Sequence, residues 1–286
     1  MAPTHFSSIE ITSVVFLIVF TILFIPSLYI WTTYLRAGYH WRYGFWGAFI
    51  ICSARLACFI SELIFYSSNY TNTSAAIAYI VTLSIGYIGL LETESALFVS
   101  WAETHIEFNP TQQQFHGKVR LLNIVGLVLV VYGSSNYDSS GRVDDTALAC
   151  IQAGTIIFLV LTVIQSAYVV FGWVMYRRMS NTLSILSITM LSLYVRIIFG
   201  VYSTFHREVS MITFKDSNVK YLVGCTLVPE TIALILLIVL GFVNIRSKGF
   251  GDLKPHRRAG DAPEAFEVDG VALEARKRGQ VVGERV

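Results

Sequence analysis

The chain has 286 residues, of which 54% are hydrophobic and only 14% are charged, and its mean hydropathy is +0.59. A soluble domain carries about 25% charged residues, so this composition excludes an ordinary water-soluble globular protein. The formal net charge is only +2 and no basic stripe or nucleic-acid motif occurs, which excludes a nucleic-acid partner and predicts a lipid bilayer as the surroundings.

Apolar runs of membrane-spanning length recur along the chain. A helix needs about 20 mostly apolar residues to cross the hydrocarbon core of a bilayer. Seven runs approach or exceed that length, at about 9–34, 43–66, 75–101, 120–135, 147–175, 183–206 and 220–244. The first is too long for a cleavable signal peptide and follows no basic segment, so we expect it to remain as a helix. The pattern predicts an all-α integral membrane domain, a seven-helix bundle, over residues 1–245.

Charged residues are concentrated after the seventh run. From Arg246 onward the chain carries nine Lys or Arg and seven Asp or Glu, sixteen of its forty charged residues. This segment is polar and mixed in charge, and shows little hydrophobic periodicity. It is therefore predicted to be a disordered cytoplasmic tail over residues 246–286.

The placement of basic residues predicts the orientation of the bundle. The loops after the first, third and fifth runs, with the proximal tail, carry eleven Lys or Arg, and the opposite side carries four. Because cytoplasmic loops carry the excess, we expect the N-terminus outside or in the lumen and the C-terminus in the cytoplasm. Glycosylation acceptors at Asn69 and Asn72 lie in a loop that is lumenal in this orientation. The short loops favour the endoplasmic reticulum.

Six ionisable residues lie deep within the predicted spans. Each costs about 2.5–3.5 kcal/mol at the centre of a membrane helix, so we expect all six to face the bundle interior. They are Arg55 and Glu62 in the second span, Glu92 and Glu94 in the third, Arg196 in the sixth and Glu230 in the seventh.

The spacing of these residues predicts which can meet. Arg55 and Glu62 share a helix face but lie two turns apart, so we expect both to reach partners on other helices. Glu92 and Glu94 point about 200° apart in a regular helix, so they cannot both line one cavity. One of the two is therefore expected to bind a neighbouring helix or loop.

The count of charges predicts acids without a cation. Two arginines for four carboxyl groups leave about two acids unpaired, and an apolar site without a cation favours the neutral form of a carboxyl group. A neutral carboxyl group is what a Brønsted acid requires. The 19 Phe, 15 Tyr and 5 Trp can stabilise a cation in a dry cavity. The alternative interpretation is structural, with Arg–Glu pairs that hold helices together.

No cofactor or metal ion is predicted. The chain has no P-loop, glycine-rich dinucleotide fingerprint or nucleophile elbow. The four cysteines lack metal-type spacing and are interpreted as small apolar residues, with a Cys150–Cys225 disulfide as the alternative. The loop after the third span has acidic and histidine residues at a spacing that suits a solvated turn better than a metal site. These are Glu103, His105, Glu107 and His116.

A receptor or rhodopsin is also not predicted. The seventh span has no lysine at its middle for a retinal Schiff base, and the Asp-Arg-Tyr and Asn-Pro-x-x-Tyr signatures are absent.

Some loose features carry a resemblance over about residues 1–245. They are Ser53-Ala54-Arg55-Leu56 followed by Glu62, the acidic third span, Arg196, and Val228-Pro229-Glu230. With these, the chain resembles fungal seven-helix proteins and is similar in size and layout to the membrane-bound terpene cyclases of fungal meroterpenoid pathways, especially the ascofuranone type. The resemblance implies an enzyme that protonates an epoxide or alkene of a farnesylated phenol and guides the carbocation into a ring.

The resemblance also implies roles for the buried residues. Glu62 and Glu230 correspond by position to the catalytic acids. On this hypothesis four further residues position the acids or bind the substrate, namely Arg55, Glu92, Glu94 and Arg196. Four tyrosines are expected to shield the cation, namely Tyr66, Tyr87, Tyr194 and Tyr202. The expected partner is a hydrophobic prenylated small molecule. The alternative is a lipid or small-molecule transporter or sensor, similar to the fungal lipid-translocating exporters, whose buried acids couple to protons.

Overall fold

The computed structural model describes residues 8–36, 46–69, 71–105, 110–136, 144–176, 180–206 and 219–247, without the side chains of 103–105, 110–116, 176 and 247. This part of the chain forms seven long helices and contains no strand. The first six are α1 (Ser8–Arg36), α2 (Trp46–Ser67), α3 (Thr73–His105), α4 (Pro110–Ser135), α5 (Asp145–Tyr176) and α6 (Asn181–Phe205).

The seventh helix, α7, covers residues 219–247 and is interrupted. It begins as an α-helix over Val219–Leu222, widens into a π turn over Val223–Leu227, and continues as an α-helix over Val228–Ser247. The Val228 N–H donates to the carbonyl of Val223, five residues back. Pro229 follows directly, and a proline ring clashes with the carbonyl four residues before it. The π turn accommodates the proline and sets the direction in which the next residue, Glu230, points.

The outer surface of the bundle is apolar. All seven helices are long and apolar enough to cross a membrane. Large aliphatic side chains lie on the outside, with Ile25 68% exposed, Leu191 67% and Val174 64%. Such surfaces are rare on soluble monomers and suit contact with lipid. The predicted class, an all-α bundle with seven helices of membrane-spanning length and composition, is confirmed for the described residues.

Glycines bring α2 and α3 into backbone contact. A Cβ atom on Gly47 would lie 2.3 Å from the carbonyl oxygen of Gly89, and one on Gly89 would lie 2.5 Å from that of Gly47. Only small residues permit such an approach between membrane helices. Gly133 of α4 meets the carbonyl of Ala147 on α5 in the same way. Consecutive helices therefore pack as closely spaced pairs.

Helix bounds differ from the predicted spans mainly at α4. This helix begins at Pro110, ten residues before the predicted start at 120, and the other bounds lie within four residues of the prediction. Most of the predicted tail and Glu107 of the considered metal site lie outside the described residues, as do the side chains of Glu103, His105 and His116.

The cysteines are all free thiols, so Cys150 and Cys225 form no disulfide. Within the described residues, no group of three His, Cys, Asp or Glu side chains is placed to hold a metal ion.

Candidate functional site

A buried triad joins three helices at Glu230. Arg55 of α2 donates from Nε to Glu230 Oε2 at 2.8 Å, and Arg196 of α6 donates from Nε to Glu230 Oε1 at 2.7 Å. The exposed fractions are 0% for Arg55 and Glu230 and 6% for Arg196. Each carboxylate oxygen thus has its own guanidinium partner. As expected, Arg55 reaches across to another helix instead of pairing with Glu62.

Helix α3 shapes the space around the triad. A Cβ atom on Gly86 would lie 2.7 Å from Nη2 of Arg55, so a side chain at this position would force the guanidinium group to shift. The next residue, Tyr87, presents its ring 5.8 Å from Cζ of Arg196, and its hydroxyl is hydrogen-bonded to that of Thr162 on α5. Nη1 of Arg55 is buried without a hydrogen-bond partner among the described residues. The triad therefore has a guanidinium N–H group that is free to donate a hydrogen bond to a ligand.

Glu62 lies in a separate cluster between α1 and α2. Its Oε2 is 2.6 Å from Oγ of Ser13, its exposed fraction is 2%, and none of the ion pairs between described residues includes it. Oγ of Ser13 is also 2.9 Å from the carbonyl oxygen of Ile9. A serine hydroxyl has one proton to donate. The Ser13 proton is therefore either shared between the two acceptors in a three-centre bond, or donated to Ile9 while a protonated Glu62 donates to Ser13.

Aromatic rings surround this acid. Phe59 lies three residues before Glu62 on α2 and stacks on Phe16 of α1, with ring centroids 6.2 Å apart. Phe59 also contacts Phe20, at 6.0 Å. Tyr66, four residues after Glu62, is 7% exposed. Residues three and four apart share a helix face, so Phe59 and Tyr66 lie on the face of α2 that carries Glu62.

Glu92 binds a neighbouring helix. It accepts a hydrogen bond from Nδ2 of Asn123 at 2.8 Å and pairs with Nε of Arg120 at 3.2 Å, both on α4. The Arg120 guanidinium also lies over the ring of Trp46, 5.5 Å from its centroid. This confirms that one member of the Glu92 and Glu94 pair binds an adjacent helix.

Glu94 is buried without a partner. Its exposed fraction is 1%, and neither carboxyl oxygen has a hydrogen-bond partner among the described residues. Gln165 of α5 lies beside this part of α3, because its Nε2 donates to the carbonyl of Leu91 at 3.3 Å. Oε1 of Gln165 is likewise buried without a partner in the described part of the chain.

The four predicted cation-shielding tyrosines separate into two groups. Tyr66 and Tyr87 are buried, at 7% and 3% exposed. Tyr194 is half-buried and its hydroxyl is 2.7 Å from that of Ser166. Tyr202 is 48% exposed and stacks on His206. The structure thus places two of the four in the interior and Tyr202 on the outer surface.

The expected pair of acids without a cation is present, although the pairing differs from a simple count. Both deep arginines bind Glu230, and Glu92 pairs with Arg120, which stands at the first position of the fourth predicted span. Glu62 and Glu94 are left without an ion pair among the described residues. The site residues that sequence reasoning missed are mostly uncharged polar residues within spans, which carry a weak signal. They are Ser13, Arg120, Asn123, Thr162 and Gln165.

The glycosylation candidates lie at the turn between α2 and α3. Both Asn69 and Asn72 are exposed. Oδ1 of Asn72 accepts a hydrogen bond from the N–H of Ala75 at 3.1 Å and so caps α3. Asn69 has a φ of 53°, in the left-handed region that asparagine tolerates.

No curated protein and no solved structure shows significant similarity to the chain. One family model, described as a domain of unknown function, matches residues 6–247 and so includes all seven helices. The chain therefore belongs to the DUF7702 family.

Proposed function

We propose that the protein is a membrane-bound terpene cyclase, an isomerase that protonates and cyclises a farnesylated phenol, with Glu62 as the proton donor. The observation that carries the proposal is the Glu62–Ser13–Ile9 arrangement. Ser13 can make a full hydrogen bond with each partner when Glu62 holds a proton, and no ion pair between described residues engages the Glu62 carboxyl group. A buried acid that holds its proton in an aromatic surrounding is what carbocation chemistry requires.

The proposed reaction is balanced without a co-reactant. Glu62 transfers its proton to the epoxide oxygen, and the C–O bond breaks as its electron pair stays with oxygen. The π electrons of a nearby alkene attack the electron-poor carbon and close the ring. The resulting cation loses a proton to the Glu62 carboxylate, which restores the acid. The product is an isomer of the substrate, with one new hydroxyl group and one new ring.

The aromatic residues have a defined role in this proposal. Phe16 and Phe59 present stacked rings beside Glu62, and Tyr66 lies one turn further on the same face. Ring faces attract a cation, and the attraction is strongest where water is absent. These rings, with Tyr87 further along the bundle, are proposed to shield the carbocation from water until the final proton is lost.

We assign a positioning role to the triad. Glu230 is held by two guanidinium groups, so it is proposed to orient the arginines and not to donate the proton. Nη1 of Arg55 has no partner among the described residues, and we propose that it binds the phenol or carbonyl oxygen of the substrate. Glu92 is engaged by Arg120 and Asn123 and is proposed to hold α3 against α4.

The proposal includes an orientation and a compartment. The excess of basic residues after α1, α3 and α5 supports a lumenal N-terminus and a cytoplasmic C-terminus. A biosynthetic enzyme with an apolar substrate suits the endoplasmic reticulum. Exposed Asn69 and Asn72 are then lumenal.

The decisive experiment is conversion in isolated membranes. Microsomes from yeast that express the chain are given a 10,11-epoxyfarnesyl phenol. The products are separated by chromatography and their masses are measured by mass spectrometry. We expect a new peak of unchanged mass. Glu62→Gln, which cannot donate a carboxylic proton, should lower its rate of formation at least 100-fold, the lower end of the contribution of general acid catalysis.

The matched control is Asp145→Asn. It makes the same acid-to-amide change at an exposed residue at the start of α5 and should leave conversion unchanged. Absence of the isomeric product with folded wild-type protein, or equal rates for Glu62→Gln and wild type, would contradict the proposal.

A second candidate function, transport of a lipid or small molecule, is favoured by α7. Interrupted helices with a binding site at the break recur in membrane transporters, and the π turn and Pro229 adjoin Glu230. A transporter moves its substrate across liposome membranes without producing an isomer. A proton-dependent flux with no product would move the assignment to this candidate.

A further inference from the structure

A second polar site lies between α3 and α5, apart from the Glu62 cluster. It contains three buried acceptor oxygens that lack a hydrogen-bond partner among the described residues, two on Glu94 and one on Gln165. Glu94 is 1% exposed and Gln165 is 6% exposed. Buried acceptors that lack a donor are unfavourable, so native proteins rarely leave them unpaired.

The orientation of the Gln165 amide follows from its one hydrogen bond. The carbonyl of Leu91 can only accept, so the amide nitrogen must face it, at 3.3 Å. Oε1 then points away from Leu91. Glu94 lies three residues beyond Leu91, on the same side of α3. Both groups that need a donor therefore lie within about one turn of Leu91, one on α3 and the other on α5.

The surroundings are apolar. Leu91 and Leu90 are fully buried, and Phe98, four residues after Glu94, stacks on Tyr168 of α5 with ring centroids 5.6 Å apart. Next to Gln165 on α5, Ser166 is half-buried and Ala167 is exposed. The next two residues of α5 therefore lead from Gln165 to the outer surface of the bundle.

We propose that Glu94 and Gln165 bind the hydroxyl group of an otherwise apolar ligand, such as a long-chain isoprenoid alcohol. A hydroxyl group has one proton, which it can donate to Oε1 of Gln165, and it can accept a hydrogen bond from Glu94 when that acid holds its proton. No basic side chain makes an ion pair with Glu94 in the described part of the chain, which leaves its oxygens available. The inference goes beyond the proposed function and does not depend on any reaction at Glu62.

The test compares two ligands that differ only in the donor. Farnesol and farnesyl methyl ether are titrated into wild-type protein in nanodiscs, and binding is measured by thermal stabilisation. We expect farnesol to bind about tenfold tighter, as the loss of one hydrogen bond to a buried acceptor predicts. Equal affinities, or no binding of either ligand, would overturn the inference. This comparison needs no variant, so it stays decisive if a variant fails to fold.

Variants then locate the site. Glu94→Leu and Gln165→Leu should each reduce the preference for farnesol to less than about twofold. The control is Ser166→Ala. Ser166 is adjacent to Gln165 on α5, but its hydroxyl is hydrogen-bonded to Tyr194, so this variant should keep the preference for farnesol. A preference that survives both leucine variants would refute this location. Tighter binding of farnesylamine than of farnesol would identify a cation site instead. If wild-type protein prefers farnesol but forms no cyclised product, only the proposed function is contradicted.

Discussion

Replacement of Glu230 by glutamine should destabilise the bundle more than any other acid-to-amide change among the described residues. The substitution keeps the shape of the side chain and removes the negative charge that both buried guanidinium groups share. Each guanidinium then lies in the interior with only an amide beside it. Because Arg55 and Glu230 are 0% exposed, water cannot replace the lost partner.

The size of the effect follows from that burial. Removal of one partner from a buried ion pair costs about 3–5 kcal/mol, because the remaining charge is left uncompensated. For a domain of 150–250 residues, each kcal/mol lowers Tm by about 2–4 °C, so Glu230→Gln should lower Tm by roughly 6–20 °C. The matched control is Glu92→Gln. Its partner Arg120 is 31% exposed, and a partly exposed pair contributes about 0–1 kcal/mol.

The assay is thermal unfolding of purified protein in one detergent. Unfolding is monitored as loss of the monodisperse peak in size-exclusion chromatography. A triple variant, Arg55→Met with Glu230→Leu and Arg196→Met, removes all three charges and should recover most of the loss, since apolar replacements of buried ion pairs are often neutral or stabilising. A Glu230→Gln loss no larger than that of Glu92→Gln would refute the reasoning. So would a triple variant less stable than the single one.

Two further predictions concern packing and orientation. Gly86→Ala should destabilise the protein by about 1–3 kcal/mol, because the new methyl group overlaps the guanidinium of Arg55; Gly117→Ala, with nothing within 4 Å, should be neutral or slightly stabilising in the same thermal assay. The exposed asparagines at the turn between α2 and α3 should carry glycans that endoglycosidase H removes, seen as a gel shift that is lost when Asn69→Gln and Asn72→Gln are combined. A gel shift that persists in the double variant, or its absence in wild type, would count against the lumenal placement of that turn.

The number of helices was predictable because each one must match the thickness of a bilayer. Length and apolarity alone therefore identified all seven. The start of α4 was missed because residues 110–118 are mostly polar, and a hydropathy pattern interprets such a stretch as a loop. In the structure Arg120 turns inward to Glu92, a contact that depends on the neighbouring helix and leaves no trace in the spacing.

The sequence predicted which residues belong to the site, but not which of them form ion pairs with each other. The cost of charge in a membrane identified Glu62, Glu94 and Glu230 as interior residues, and all three are buried. Which arginine meets which acid depends on the rotation and depth of each helix. The π turn before Pro229 alters that rotation in α7, and no periodicity rule anticipates it. Uncharged partners such as Ser13 add little to the free energy of membrane insertion, so their presence in a span is not a clear signal.

The glycine contact between α2 and α3 has a mechanical consequence. Two backbones that touch leave no side-chain layer between them to slide or repack, so the pair moves as one rigid body. That body carries Arg55, Glu62 and Glu94. If α6 and α7 separated from this pair, the bond between Arg55 and Glu230 would break, whereas the bond between Arg196 and Glu230 would stay within the separating part. The hydrogen bond from Arg55 would thus be broken and made again with each such separation.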